Sequence, residues 1–405
     1  MCGMGPGNGE MTAFRTPTNC VVVGITGGIA SGKSTAASVI GVEYPGAVVL
    51  NADLLGHEAY APGTECQKKL VEHFGERILN KDDSSIDRKV LGPIVFSDPK
   101  ELEALNGIVW PAIRALVTEK IKAYSESWGA SKTNNDPPHL IVLEAAVLLE
   151  ANWDDMVDEV WLTTVGVATA KARLMARNHL SAEQAEARIN SQMSNEERRK
   201  RMLVEIPNDG DEDSLRVVIK SKLEAFKVRY CKLSAFEMVD VVDKDDQVLY
   251  ATKRAVVRAF NLTCRCSYII LVHAETKDIF VQKRSNLKDF APGLLDPAPG
   301  GVLAAGENYL VNAQREMEEE MGLSSLALKH VSAMYHEDAT SRVWGTIFYA
   351  VVDVSPCDLK LQPEEVDSVI LMKPAEILSK PESDFIPDGI HAFRIFHEKC
   401  KEVLE

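Results

Sequence analysis

The stretch Val21-Val-Val-Gly-Ile-Thr-Gly27-Gly-Ile-Ala-Ser-Gly32-Lys33-Ser34-Thr35 decides how the first half of the chain folds. A β-branched run leads into Gly27, four residues intervene, and Gly32-Lys33-Ser34 opens a helical pattern. Strand, glycine-rich loop and helix in that order make a P-loop. Its glycines let backbone N–H groups curl round phosphate oxygens, Lys33 neutralises the charge of the β- and γ-phosphates, and the Ser34 hydroxyl reaches Mg²⁺. Outward from the loop, short apolar strands at Val21–Ile25, Val48–Leu50, Leu140–Leu143 and Glu159–Thr163 alternate with longer helical patterns, which predicts a parallel α/β sheet. Leu215, Ile219, Leu223 and Phe226 then recur at helical spacing and close this first unit.

Such a loop holds a nucleotide; the acceptor side must be read elsewhere. Asp53 follows the second predicted strand, where a carboxylate can orient an attacking hydroxyl and take its proton; its alternative role is a helix N-cap. Glu144 ends the Leu140–Leu143 strand and can hold Mg²⁺ through water or cap a turn. Arg173, Arg177 and Arg188 are spaced along a charged helical stretch, Ala168 to Arg201. Arginines so placed suit a mobile lid over a triphosphate, or else a solvated face.

The span from Val21 to about Leu215 resembles dephospho-CoA kinase. The resemblance is carried by Gly24 to Thr35, Asn51-Ala-Asp53, Val90-Leu-Gly-Pro-Ile-Val-Phe96, Trp110-Pro-Ala-Ile-Arg114, Ala185-Glu-Ala-Arg-Ile-Asn-Ser-Gln192 and Asn208-Asp-Gly210. Leu54 to Gly63 and Glu144-Ala-Ala-Val-Leu-Leu-Glu150 look most like the kinase half of the animal-type bifunctional CoA synthase. The resemblance implies an α/β P-loop kinase domain with a parallel sheet and a helical lid, over residues 20–235. It makes Asp53 the base for the ribose 3′-hydroxyl, with Lys33, Arg173 and Arg177 as its catalytic companions. Gly27, Gly28, Ile29, Ala30, Ser31, Gly32, Lys33, Ser34 and Thr35, with Arg188 and Asn208, would hold ATP. Asp53, Arg114 and Glu144 would meet the acceptor. Three positions depart from the family pattern: Asn51 stands where a first aspartate is usual, Trp110 where bacterial members carry histidine, and Glu144 where an aspartate is usual. Activity is still expected, because the acceptor-side base is retained.

Around Ser234–Phe236 the character changes. Strand-like runs at Met238–Val242, Tyr268–Val272, Ile279–Gln282 and Val343–Val352 dominate, broken by Pro and Gly turns, and predict a second, α+β domain over residues 236–405. It contains Gly301, five residues, Glu307, seven residues, then Arg315-Glu-Met-Glu-Glu-Glu-Met-Gly-Leu323. On a helix Glu316, Glu319 and Glu320 fall at i, i+3 and i+4 and project from one face. A divalent cation neutralises such a cluster best, and oxygen ligands suit Mg²⁺ or Mn²⁺, which polarise a phosphoanhydride and activate water. The pattern resembles a complete Nudix box in an α/β/α sandwich. By that resemblance Glu316, Glu319 and Glu320 are metal ligands, Gly301 adds its carbonyl, and Arg315 and Glu307 pair to brace the loop. Glu365 is a further candidate carboxylate, with a surface loop acid as the alternative. Val281-Gln-Lys-Arg284, Lys288-Asp-Phe-Ala-Pro-Gly293 and Ser341-Arg-Val-Trp-Gly345 look most like the branch related to isopentenyl-diphosphate isomerase and its hydrolase cousins. The surroundings of the cysteines do not look like those of the isomerase, so hydrolysis is the expected activity.

Composition narrows the partners. The chain of 405 residues has a formal net charge of −15, and residues 236–405 hold 18 basic against 28 acidic side chains, which disfavours nucleic acid and anionic membranes. No apolar run is long enough to cross a bilayer. Eight cysteines without a C-x-x-C predict neither a disulfide framework nor a zinc ribbon. Residues 1–19 read as a disordered Gly/Pro/Thr-rich start without the features of a secretory signal. A reduced cytoplasmic compartment follows, with a mitochondrial one left open. The expectation is a bifunctional enzyme of small-molecule substrates (ATP, dephospho-CoA and a diphosphate compound), with Mg²⁺ or Mn²⁺ at both sites. Two alternatives stay open: a Nudix half that only senses a ligand, and a kinase for another nucleoside-like acceptor.

Overall fold

The computed structural model describes residues 16–129, 137–231, 233–288, 290–324 and 326–405. The chain divides into two compact units, one ending at Leu233 and one beginning at Ser234. Of the expected disordered start, residues 1–15 lie outside the described residues. Thr16–Asn19 depart from that expectation: the Thr16 hydroxyl donates to buried Asp158, and the Asn19 amide donates to the carbonyls of Ser125 and Gly129.

In the first unit five strands, β1 (Cys20–Gly27), β2 (Val48–Asn51), β3 (His139–Glu144), β4 (Glu159–Thr164) and β5 (Val204–Pro207), form a parallel sheet in the order β2-β3-β1-β4-β5. Strands covered on both faces read as unbroken apolar runs. That is why β1 and β4, buried along their whole length, and β3, buried after its first residue, were visible in the sequence. The edge strand β5, with Glu205 and Pro207 in its four residues, was not. Register matters most for function. Ile25 of β1 and Asn51 of β2 both stand opposite Glu144 of β3, so three strands end together at their carboxyl edge. In open α/β sheets that edge is where ligands bind.

The helix Glu212–Arg229 buries Leu215, Ile219, Leu223 and Phe226, as their spacing required. The charged helical stretch Ala168 to Arg201 is made of three helices, Val167–Asn178, Ala182–Asn190 and Asn195–Arg199. Backbone chemistry makes the breaks. His179 ends the first helix in a left-handed conformation (φ 54°), and Ser181 and Ser194 cap the next two, the former in a reciprocal capping box with Gln184.

The second unit is built on a mixed eight-stranded sheet: β6 (Met238–Val242), β7 (Val248–Lys253), β8 (Cys264–His273), β9 (Ile279–Arg284), β10 (Leu295–Asp296), β11 (Lys329–Glu337), β12 (Arg342–Val352) and β13 (Val366–Met372). The sheet runs β10-β9-β8-β12-β11; β13 adds to β9, and the β6–β7 hairpin joins through β8. Central β8 has both faces covered. Tyr268, Ile270 and Val272 pack with Phe393 and Phe396 of the helix Pro387–Lys399, while Ile269 and Leu271 pack with Met317 and Met321 of the helix Tyr309–Met321. Helices on both faces make the expected α/β/α sandwich. Ahead of the acidic helix, the loop clamps to β8: Ser267 N–H donates to the Gly301 carbonyl and Ile269 N–H to that of Pro299. A Cβ on Gly300 would stand 1.9 Å from the Ser267 carbonyl oxygen, so this approach requires glycine.

Candidate active sites

The phosphate loop connects β1 to the helix Lys33–Glu43, whose N-cap, Gly32, has φ 86°. It is braced from three sides. The Asn208 amide donates to the Ser31 carbonyl (2.8 Å), the Ser31 and Thr163 hydroxyls bond at 2.7 Å, and Gly27 lies so close to β4 that a Cβ would meet the Thr163 carbonyl at 2.4 Å. Lys33 folds back, its ammonium donating to the Gly27 (2.9 Å) and Gly28 (3.1 Å) carbonyls. Burial, and then the positive charge of Arg198, hold its pKa below the usual lysine value against the pull of Glu144 and Asp53.

At the strand ends the two unusual residues explain each other. Glu144 accepts from the Ser34 hydroxyl with one oxygen and from the Asn51 amide (2.8 Å) with the other. An aspartate at position 51 would turn that second contact into a like-charge clash. Asn51 also caps the helix Ala52–Ala59 by accepting from Leu54 N–H (3.0 Å). Asp53 is therefore not the N-cap; it lies exposed in the first turn of that helix.

The arginines separate. Arg173 reaches the loop, donating to the Ala30 and Gly210 carbonyls at 3.4 and 2.9 Å. Arg177 is exposed and bonds the Asn178 side chain beside it, and Arg188 is exposed on its helix. Arg114 is committed to Asp155 in a bidentate pair, both bonds 2.7 Å. Sequence reasoning assigned no site role to Gln192, whose amide oxygen accepts from Ile29 N–H (2.7 Å), or to Arg198, which is buried beside the loop. Arg198 stands in the run Glu196-Glu-Arg-Arg-Lys-Arg201, where nothing marks one arginine as the buried one.

In the second unit Glu316 and Glu320, one turn apart, face inward and are nearly buried, while Glu319 is about half exposed. The three carboxylates thus do not converge as the helical spacing alone suggested. Arg315 explains this: it bridges Glu307 (3.1 Å), Glu316 (2.9 Å) and Glu319 (2.9 Å). The expected Arg315–Glu307 brace is present, and Glu307 also accepts from Ala304 N–H and the Asn312 amide. Among the described residues no group of three or more His, Cys, Asp or Glu side chains is disposed to hold an ion.

The residues nevertheless fit a divalent cation. A Cβ on Gly301 would lie 2.2 Å from the Glu316 carboxyl carbon, so the glycine backbone forms a cradle against that carboxylate. The Gly301 carbonyl accepts from Ser267 N–H and keeps a second lone pair. Burial and the neighbouring charge of Glu320 push Glu316 up to about 7, a tension that a cation relieves. Two groups to which sequence reasoning assigned no site role complete the surroundings. Gln282 donates to Glu320 (2.8 Å), and the Lys288 ammonium lies between Glu320 (3.5 Å) and Glu365. Glu365 is accordingly part of this cluster rather than a loop acid by itself.

A phosphate-binding loop on a parallel sheet and a braced acidic helix in an α/β/α sandwich define a chain of two phosphate-chemistry domains. A family model for dephospho-CoA kinase matches residues 21–214, and one for the NUDIX domain matches residues 265–393. A dephospho-CoA kinase of Symbiobacterium thermophilum is 40% identical over 204 residues, covering 50% of this chain and 80% of that protein. One of Geobacter sulfurreducens is 42% identical over 194 residues, 48% of this chain and 92% of that protein. An uncharacterized Nudix hydrolase of Yersinia pestis is 40% identical over 169 residues, 42% of this chain and 90% of that protein. The chain belongs to the dephospho-CoA kinase family in its first part and to the Nudix family in its second. Among the described residues no helix is long and apolar enough to cross a membrane.

Proposed function

We propose that the first unit transfers the γ-phosphoryl group of ATP to the ribose 3′-hydroxyl of dephospho-CoA, and that the second hydrolyses a diphosphate-linked compound. The observation that supports the kinase reading is the alignment of Ile25, Glu144 and Asn51, which gathers Lys33, Ser34 and Asp53 at one edge of the sheet. Asp53 accepts the proton of the 3′-hydroxyl, whose oxygen forms the new bond to phosphorus as the bond to the ADP oxygen breaks. Lys33 leaves the Gly27 and Gly28 carbonyls to neutralise the transferring phosphoryl. Glu144 orients the Ser34 hydroxyl and is itself oriented by Asn51. Mg²⁺ at Ser34 supplies charge neutralisation of the polyphosphate when bound. Arg173 ties the lid to the loop, and Arg114 contacts the acceptor on leaving Asp155.

The full chain with ATP, Mg²⁺ and dephospho-CoA should yield CoA and ADP in equal amounts by mass spectrometry. Asp53→Asn should lower kcat by about 10²- to 10⁴-fold with ATP binding unchanged. No CoA from the unaltered chain would end this reading.

In the second unit Glu316, Glu319 and Glu320 hold a divalent cation, released from Arg315 and Lys288. The cation, when bound, polarises a phosphoanhydride and acidifies water. Gln282 fixes the Glu320 carboxylate, and Arg315 with Glu307 fixes the preceding loop. Hydrolysis of dinucleotide and nucleoside-diphosphate compounds by the full chain should require Mg²⁺ or Mn²⁺; no metal-dependent hydrolysis across such a panel would favour a ligand-sensing module instead.

A further inference from the structure

Arg198 is among the largest fully buried side chains of the molecule, 2% exposed, although it sits on a five-residue helix between exposed Glu197 and Arg199. Burying a guanidinium is costly unless all its donors are met. They are not. One terminal nitrogen donates to the Met193 carbonyl, the other to Glu150 (2.9 Å), and among the described residues Nε has no hydrogen-bond partner. Glu150 is only half used as well, its second oxygen buried and without a hydrogen-bond partner among the described residues.

The guanidinium lies against the far lip of the phosphate loop. Its Nη1 is 3.7 Å from the position a Cβ would take on Gly28. The Lys33 ammonium occupies the same lip, at the Gly27 and Gly28 carbonyls, and feels the charges of Arg198, Glu144, Asp53 and Glu150 together. Two cations side by side in a desolvated place repel one another, and a polyanion between them reverses the sign of that interaction. The segment that carries Arg198 is strapped down at the same spot: the Gln192 amide oxygen accepts from Ile29 N–H (2.7 Å).

We infer that Arg198 is a specificity-determining residue for the terminal phosphate of a nucleoside triphosphate, and that Gln192 is the strap that keeps it at the loop. The inference deepens the kinase reading and rests on it only in taking ATP as the donor. The exposed arginines of the lid do not substitute, since Arg177 and Arg188 lie on solvent-facing positions.

The test is equilibrium binding of ATP and of ADP, each with Mg²⁺, to the full chain by calorimetry. Arg198→Met should cut the preference for ATP over ADP by about tenfold while ADP affinity changes less than about twofold. Arg198→Lys should restore part of the preference, and Gln192→Ala, at an exposed position, should lose part of it. If Arg198→Met does not fold, Arg198→Met with Glu150→Met removes both halves of the buried pair and carries the same expectation. Equal losses for ATP and ADP would make Arg198 structural and overturn the inference, as would an unchanged preference in these variants. Acceptor turnover is not read, so the two readings fail separately. Failure to make CoA overturns the acceptor assignment, whereas an unchanged ATP preference in the variants overturns only this one.

Discussion

The two sites differ in what they are made of. The phosphate loop is a backbone site: its shape comes from Gly32 at φ 86°, from the close approach of Gly27 to β4, and from braces at Ser31 and Asn208. The acidic helix is a side-chain site. Its carboxylates are held by the chain's own cations, Arg315 and Lys288, which under the proposed function give way when a metal binds. A backbone site stays formed because glycine conformations and packing fix it. A side-chain site is conditional, because its geometry depends on which charge is present.

The sharpest way to break this comparison is at Gly32. A Cβ there would stand 2.1 Å from the Asn208 amide nitrogen, on backbone that only glycine adopts without strain. Gly32→Ala should displace the loop and lower phosphoryl transfer by about a hundredfold or more, while metal-dependent hydrolysis by the same protein is retained. Loss of both activities in a folded variant would show that the units do not act independently.

The side-chain site should yield to a change that touches no proposed ligand. Gln282, on β9 and 1% exposed, orients Glu320 by a single bond of 2.8 Å. Gln282→Leu keeps the volume and removes the donor, and should weaken metal affinity about ten- to a hundredfold with the saturated rate less affected. A metal titration of hydrolysis reads this directly.

The same contrast explains what the sequence revealed. The P-loop was legible because a backbone site needs contiguous residues of fixed type, and the buried strands β1, β3 and β4 were legible because parallel strands are apolar on both faces. The Nudix spacing was legible too, with its Arg315–Glu307 brace. Gln282, Lys288, Gln192 and Arg198 were not, because each acts across a distance in sequence, and a single polar residue carries no local signal of its partner. The breaks within the lid were not legible, although Ser181 and Ser194 cap its second and third helices.

A third expectation concerns the acid that the second unit buries apart from its metal helix. Asp296 on β10 is 5% exposed, its Oδ1 accepts from Ala298 N–H (3.0 Å), and Gly389 packs onto it. Burial pushes its pKa up to about 7, opposed by Arg284 and aided by Asp388 and more weakly by Glu320. A carboxyl raised in the folded state binds its proton more tightly there than in the unfolded chain. Its stabilising contribution is complete below about pH 4 and is lost as pH rises towards 7. The change over that window is on the order of a few kcal/mol. Asp296→Asn should therefore flatten the pH dependence of thermal unfolding between pH 4 and 7, with a gain of several degrees at the upper end. An unaltered pH profile would mean that the unfolding does not sense this group.

The smallest effect should fall on Arg177, and it tests whether spacing along a lid is evidence of function. Arg173 and Arg177 share one helix, one turn apart, and the sequence offered them as equals. Arg173 holds two backbone carbonyls, one on the phosphate loop and one at Gly210. Arg177 is exposed, and among the described residues its guanidinium bonds the neighbouring Asn178 side chain, a contact that water replaces at little cost. Arg177→Ala should change kcat and the KM for ATP by less than about twofold, within the range of ordinary surface substitutions. A large fall in kcat with KM unchanged would mean that the lid rotates by a full helical face during turnover and brings Arg177 onto the phosphates. In that case the first site too would be conditional on its ligand, and the distinction between a backbone site and a side-chain site would fall.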